Sequence, residues 1–259
     1  MRLSVCAALA IVLSPLTSFA DDLSYQFETS VASSYVYRGI VQYAERDVPS
    51  SQSTAAVTLD HVAGGTVSIV AWNATAMSDY GRQPGNALEF DLSAGYTRRV
   101  GDTAITAGYM AYLFPDHMAG TPIDAAHELS LVVAHDTPYV TPFAGVYGEF
   151  VRQQGAYLTA GAGHDFKLGA FTVTPTASVG AAAYRKYLGS EQSASPHLND
   201  VTAACAGKLD LGHGMYALAR LSYAVRLTPS DLVPDMDWGM QGMQGRQSLF
   251  GAISLGVAR

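Results

Sequence analysis

The chain has 259 residues, 14% of them charged and 49% hydrophobic, with a formal net charge of −7. An acidic balance with no basic tract excludes a nucleic-acid surface. Two cysteines in this length exclude a small disulfide-stapled scaffold, and no apolar run reaches the length of a transmembrane helix.

Residues 1–20 read as a secretory signal. Arg2 supplies the positive start, Leu3 to Leu16 the apolar stretch, and Ser18-Phe19-Ala20 a small-x-small cleavage site before Asp21. The apolar stretch is too short to span a bilayer as a helix. Cys6 falls within it, which leaves Cys205 without a partner for an intrachain disulfide.

From there the chain divides into segments of alternating polarity, predicted near 23–38, 52–62, 65–76, 87–99, 103–114, 127–135, 139–150, 156–167, 170–184, 199–211, 215–227 and 248–258. Successive side chains leave a strand on opposite faces, so period-two alternation marks a strand between two different media. Leu23, Tyr25, Phe27, Val31, Tyr35 and Tyr37 share one parity of the first segment. Leu88, Phe90, Leu92, Ala94 and Tyr96 do so in the fourth, and Ala217, Ala219, Leu221, Tyr223 and Val225 in the eleventh. Most segments have the length that a tilted membrane-crossing strand needs. Pro142 and Pro175 each remove a ladder donor and are expected at local bulges or other irregularities.

The connections alternate in length. Ala63-Gly64, Val100-Gly101-Asp102, Asp136-Thr137-Pro138, Leu168-Gly169 and Gly212-His213-Gly214 are short; 39–51, 77–86, 115–126, 151–155, 185–198 and 228–247 are longer. An even strand count with tight turns at one end and long loops at the other is the pattern of an outer-membrane barrel. The predicted fold is therefore all-β: a twelve-stranded, antiparallel, up-and-down transmembrane barrel over residues 21–259, both termini at the short-turn, periplasmic end. A closed barrel leaves no unpaired edge in lipid. The rival is a soluble β-sandwich or solenoid in the periplasm, which would also alternate but with shorter strands and less regular turns.

The opposite parity carries the charges, and these are assigned to the lumen: Glu28, Asp60, Glu89, Asp91, Glu128, Asp200 and Asp210, with Arg38, Lys208, Arg220 and Arg226. Seven acids against four bases predict a modest cation preference. Arg38-Gly39 is placed where the first strand meets the outer rim. There Arg38 either pairs with Glu89 or Asp91 or selects anions at a constriction. The competing reading is a structural ion pair, with Gly39 letting the strand turn. The predicted lumen-lining set is Glu28, Arg38, Asp60, Glu89, Asp91, Glu128, Lys208 and Arg220. Twelve strands make a narrow bore, and the sequence leaves open whether loops fill it.

Four stretches, SSYVYRGIVQ (33–42), AWN (71–73), LEFDLSAGY (88–96) and AGYMAYLFP (107–115), resemble in order and spacing the TorF-type porin family of exported proteins, also catalogued as an uncharacterised conserved bacterial group. The resemblance covers roughly the first half of the exported chain, and the Arg-Gly stretch is its most specific piece. It implies an outer-membrane β-barrel with a pore role, and carries over neither a solute nor catalytic residues. Barrel proteins usually end in an aromatic residue that the insertion machinery reads. Here the last residues are Val257-Ala258-Arg259 and the nearest aromatic is Phe250.

Enzymatic constellations are weak. His127 and Ser130 lie on opposite faces of one strand and cannot act side by side, and His164-Asp165 is split in the same way. No G-x-S-x-G follows the export segment. No cofactor or metal is expected. The run Asp235 to Met243 and His117-Met118 offer thioethers, but without paired His or Cys at ligand spacing. Cys205 shares the lipid-side parity with Val201 and Ala203. The expected function is passive passage of small hydrophilic solutes or ions across the outer membrane. The expected partners are membrane lipid, the solute and the barrel-insertion machinery. A rival role is a non-conducting scaffold for a periplasmic partner or for loop-bound ligands.

Overall fold

The computed structural model describes residues 22–42, 48–77, 88–113, 125–151, 154–184, 186–187, 190–191, 196–227 and 247–259. The predicted signal 1–20, His117-Met118 and the stretch 235–243 lie outside these residues.

Twelve strands among the described residues form one closed antiparallel sheet. They are β1 (Leu23–Ala32), β2 (Ser50–Val62), β3 (Gly65–Ala76), β4 (Leu88–Val100), β5 (Thr103–Leu113), β6 (Ala126–His135), β7 (Thr141–Glu149), β8 (Gly155–Gly163, resumed at Phe166–Leu168), β9 (Phe171–Tyr184), β10 (His197–Gly212), β11 (Met215–Arg226) and β12 (Gln247–Ala258). Each pairs with its chain neighbour, and β12 returns to β1 through Phe27↔Val257 and Val31↔Ile253. Ring closure satisfies both edges, and reciprocal hydrogen bonds between Tyr25 and Arg259 extend it to the last residue.

The tight turns follow from their residues. Ala63-Gly64 and His213-Gly214 place both residues at positive φ, as a type I′ hairpin requires. In the pairs Gly101-Asp102 and Gly169-Ala170 only the glycine has positive φ, the type II′ arrangement. At the remaining short connection, Asp136-Thr137-Pro138, the Arg99 guanidinium donates to Asp136 at 2.9 Å, and Thr141 donates to the same carboxylate at 3.1 Å.

Burial runs opposite to that of a soluble protein. Ile253 is 71% exposed and Leu249 69%, whereas Glu128 is 4% and Arg226 5% exposed. Along β11 the odd positions Met215, Leu221 and Tyr223 are exposed on the outer face, while Tyr216, Ser222, Ala224 and Arg226 are buried within. A β-sandwich would invert this order, because it needs its apolar face inside. Cys205 is exposed on the outer face, opposite Leu221 in register.

Two expectations are corrected. The first strand does not reach residue 38; it ends at Ala32, and residues 33–42 turn back into the lumen. Neither proline produces a bulge, although Pro175 does face an irregularity, the interruption of β8 at residues 164–165. Pro142 pairs with Ala162 and Pro175 with Cys205 in unbroken register, and the register shifts fall at Leu59/Val62, Gly180/Ala181 and Asp210/Gly212. The Pro175 carbonyl accepts from His164, so its side that lacks an N–H also points at β8. That side meets the gap between Gly163 and Phe166, where no ladder bond is lost.

Candidate functional site: an inward hairpin and its tyrosine-walled seat

Val36–Tyr37 and Ile40–Val41 form a two-stranded hairpin around Arg38-Gly39. Arg38 has φ 49° and Gly39 φ 75°, so the pair is a type I′ turn with arginine where asparagine or glycine is ordinarily found. A left-handed arginine costs about 1–2 kcal/mol of backbone strain. The contacts of its side chain offset that cost. The guanidinium carbon lies 4.3 Å from the ring centre of Tyr157, 4.9 Å from Tyr147 and 4.8 Å from Tyr37. One guanidinium nitrogen donates to Glu128 Oε2 at 2.8 Å.

The wall holds this seat from behind. The Tyr112 hydroxyl donates to Glu128 Oε1 at 3.1 Å and shares a 2.7 Å hydrogen bond with the Tyr37 hydroxyl. The Tyr157 hydroxyl donates to Asp200 Oδ1 at 2.9 Å. The Asn199 amide donates to the Arg38 carbonyl and to Asp200, each at 2.9 Å. A methyl group on Gly39 would sit 2.6 Å from the Asp200 Cβ, so the turn presses directly on β10. At the hairpin base Tyr35 packs on Trp72 of β3, ring centres 5.2 Å apart, beside Val48, Ala74 and Ala76. Ile40 packs on Tyr157 and Ala182. The hairpin thus crosses the bore at the long-loop end, touching walls from β3 round to β10.

Glu128 and Glu149 stand directly opposite each other in register, an unfavourable like-charge pair. Each has its own partners: Glu128 holds Arg38, and Glu149 accepts the backbone amides of Val151 and Gln154 at 2.8 Å each. Asp91 lies within electrostatic reach of Glu89 and Glu128, and its Oδ1 is buried without a hydrogen bond.

Six of the eight lumen-lining residues read from the sequence fall in two tiers. Arg38, Glu89, Asp91 and Glu128 gather at the long-loop end. Arg38 faces inward, but it sits in the bore rather than at the rim, and it forms an ion pair with Glu128, an acid not anticipated as its partner. Glu28 and Lys208 gather lower down on Tyr216. The Tyr216 hydroxyl donates to Glu28 at 2.8 Å, and the Lys208 ammonium lies 4.2 Å from its ring centre. Asp60 accepts from Thr66 at 2.7 Å near the short turns. Arg220 is exposed on the inward parity of β11, between these tiers.

Sequence reasoning missed Tyr112, Tyr147 and Tyr157 as site residues. Their parity was the available signal: Tyr112 aligns with Asp91, and Tyr147 with Tyr157, on the charged face.

Comparison with solved structures shows the fold alone. The chain is similar to the translocator domain of the autotransporter NalP from Neisseria meningitidis, with 14% identity, 98% of this chain and 96% of that chain covered, and a TM-score of 0.50. It is similar to the KdgM porin in complex with disordered oligogalacturonate, with 9% identity, coverage of 90% and 98%, and a TM-score of 0.50. An outer membrane channel from Pseudomonas putida F1 gives 6% identity, coverage of 92% and 94%, and a TM-score of 0.50. No curated protein matches the chain by sequence. The profile of one family, described as "Bacterial protein of unknown function (Gcw_chp)", matches residues 20–212, most of the chain, and the chain belongs to that family.

Proposed function

We propose that this protein is an outer-membrane pore of the TorF type, exported by residues 1–20 and inserted with its long loops outward. Small hydrophilic solutes or ions cross it passively, without chemistry. The observation that carries the reading is a barrel with charged side chains inside and leucine and isoleucine outside. Such an interior has no use as a packed core: beside the paired Arg38 and Glu128, the inward Lys208 and Arg220 are exposed, and water in a bore solvates such charge. The likeness in fold to a porin and to an outer membrane channel supports the same reading. The inward hairpin is then the constriction. Glu89 beside it gives a modest cation preference, since fixed charge at the narrowest point sets selectivity.

The fastening of that hairpin favours a second reading, in which the bore is closed and the protein is a non-conducting scaffold. Planar-bilayer recording separates the two. The pore reading predicts conductance steps with a cation-shifted reversal potential, and loss of that shift on combined Glu89→Gln and Asp91→Asn. A folded, inserted barrel that never conducts, with or without the hairpin contacts, contradicts it.

A further inference from the structure

The Arg38 seat is built more completely than a lock requires. Its walls are also held by contacts that do not involve Arg38. Glu128 is held by the Tyr112 hydroxyl, and Tyr157 by Asp200. The Tyr147 and Tyr157 rings stand 6.1 Å apart at 51°, forming a tilted cleft. Without Arg38 the cleft keeps two aromatic faces and one buried carboxylate oxygen aimed between them. Aromatic faces attract a cation, and the carboxylate supplies the counter-charge. The occupant's chemistry is specific. A planar, weakly hydrated guanidinium stacks on rings and donates sideways to an oxygen at once, which a compact, strongly hydrated ammonium does less well.

We propose that this cleft is a binding site for guanidinium-bearing solutes, and that Arg38 is its tethered occupant. A solute guanidinium arriving from the long-loop mouth takes the place of Arg38, and the hairpin yields the bore while the solute occupies the cleft. The binding claim stands on the cleft itself; the passage claim rests on the pore reading.

Calorimetry on the full-length barrel folded in detergent tests the cleft, with methylguanidinium and methylammonium as probes. Arg38→Ala is expected to bind methylguanidinium about tenfold more tightly than methylammonium, and added Glu128→Gln to abolish the preference. Arg38→Gln serves if the alanine variant does not fold. Equal binding of the two probes, or none, overturns the proposal. Liposome flux then tests passage: faster entry of methylguanidinium than methylammonium through the wild-type protein supports it, and equal entry overturns it. Absence of all flux in every variant overturns the pore reading instead, while the calorimetry still decides the cleft.

Discussion

Gly39 shows how tightly one residue can be specified. Its φ of 75° disfavours any side chain, and the adjacent Asp200 Cβ leaves no space for one. Gly39→Ala is therefore expected to lower barrel stability by about 1–3 kcal/mol, seen as a lower temperature of unfolding in detergent. An unchanged temperature would mean that the turn does not rest on β10. Glu128 is the second such residue. With Glu128 5% and Arg38 13% exposed at the side chain, Glu128→Gln leaves a guanidinium mostly out of water without its carboxylate. The expected loss is about 3 kcal/mol, at the low end for a broken buried pair because Arg38 keeps three ring faces. Denaturant titration of the two proteins measures it, and equal midpoints would contradict the pairing. The charge parity that placed Arg38 and Glu128 in the lumen was legible in the sequence. Their partnership was not, because β6 lies far along the chain and only the fold of the hairpin decides which acid Arg38 meets.

At the scale of elements, the wall strands were legible and the hairpin was not. Alternation from Leu23 runs through Tyr35 and Tyr37 without changing phase, so the period alone extends the strand to Arg38. The chain leaves the wall at Ser33-Ser34, and Tyr35 and Tyr37 stay apolar because they pack on Trp72 and Tyr112 inside the bore. A two-residue turn between Val36-Tyr37 and Ile40-Val41 was the available hairpin signal. The short connection after β6 makes a separate prediction. Hydrogen bonds from Arg99 and Thr141 hold the exposed Asp136 carboxyl below the usual carboxylate range. A depressed folded value means that this contact stabilises the turn above the ordinary carboxylate pKa. The stabilisation is lost as pH falls from there through the lowered folded value. Arg99→Gln should return the Asp136 titration, followed by carboxyl NMR shifts, towards the ordinary value; no movement would exclude the ion pair as the cause.

For the molecule as a whole, ring closure and an inverted distribution of polarity belong together. In hydrocarbon backbone donors must be satisfied within the protein, and twelve strands closed through β1 and β12 leave no free sheet edge. The outward leucines and isoleucines then need no protein partner, and the inward charges need either one another or water. This much follows from alternating segments and alternating loop lengths, which is why the architecture could be read from the chain. The hairpin closing on its seat depends on tyrosines from β5, β7 and β8 converging in space, a relation that no single segment carries.

Neighbouring positions on β11 test this inverted architecture most directly. In a Cys205→Ser background reconstituted in lipid, a single cysteine at position 220 or 221 is offered a water-soluble thiol reagent, and a bimane label at the same site is offered brominated lipid. The account predicts that Arg220→Cys reacts with the reagent and is not quenched by lipid, and that Leu221→Cys is quenched by lipid and reacts poorly. Leu221→Cys shielded from both media, with Arg220→Cys on a freely soluble particle, would contradict it.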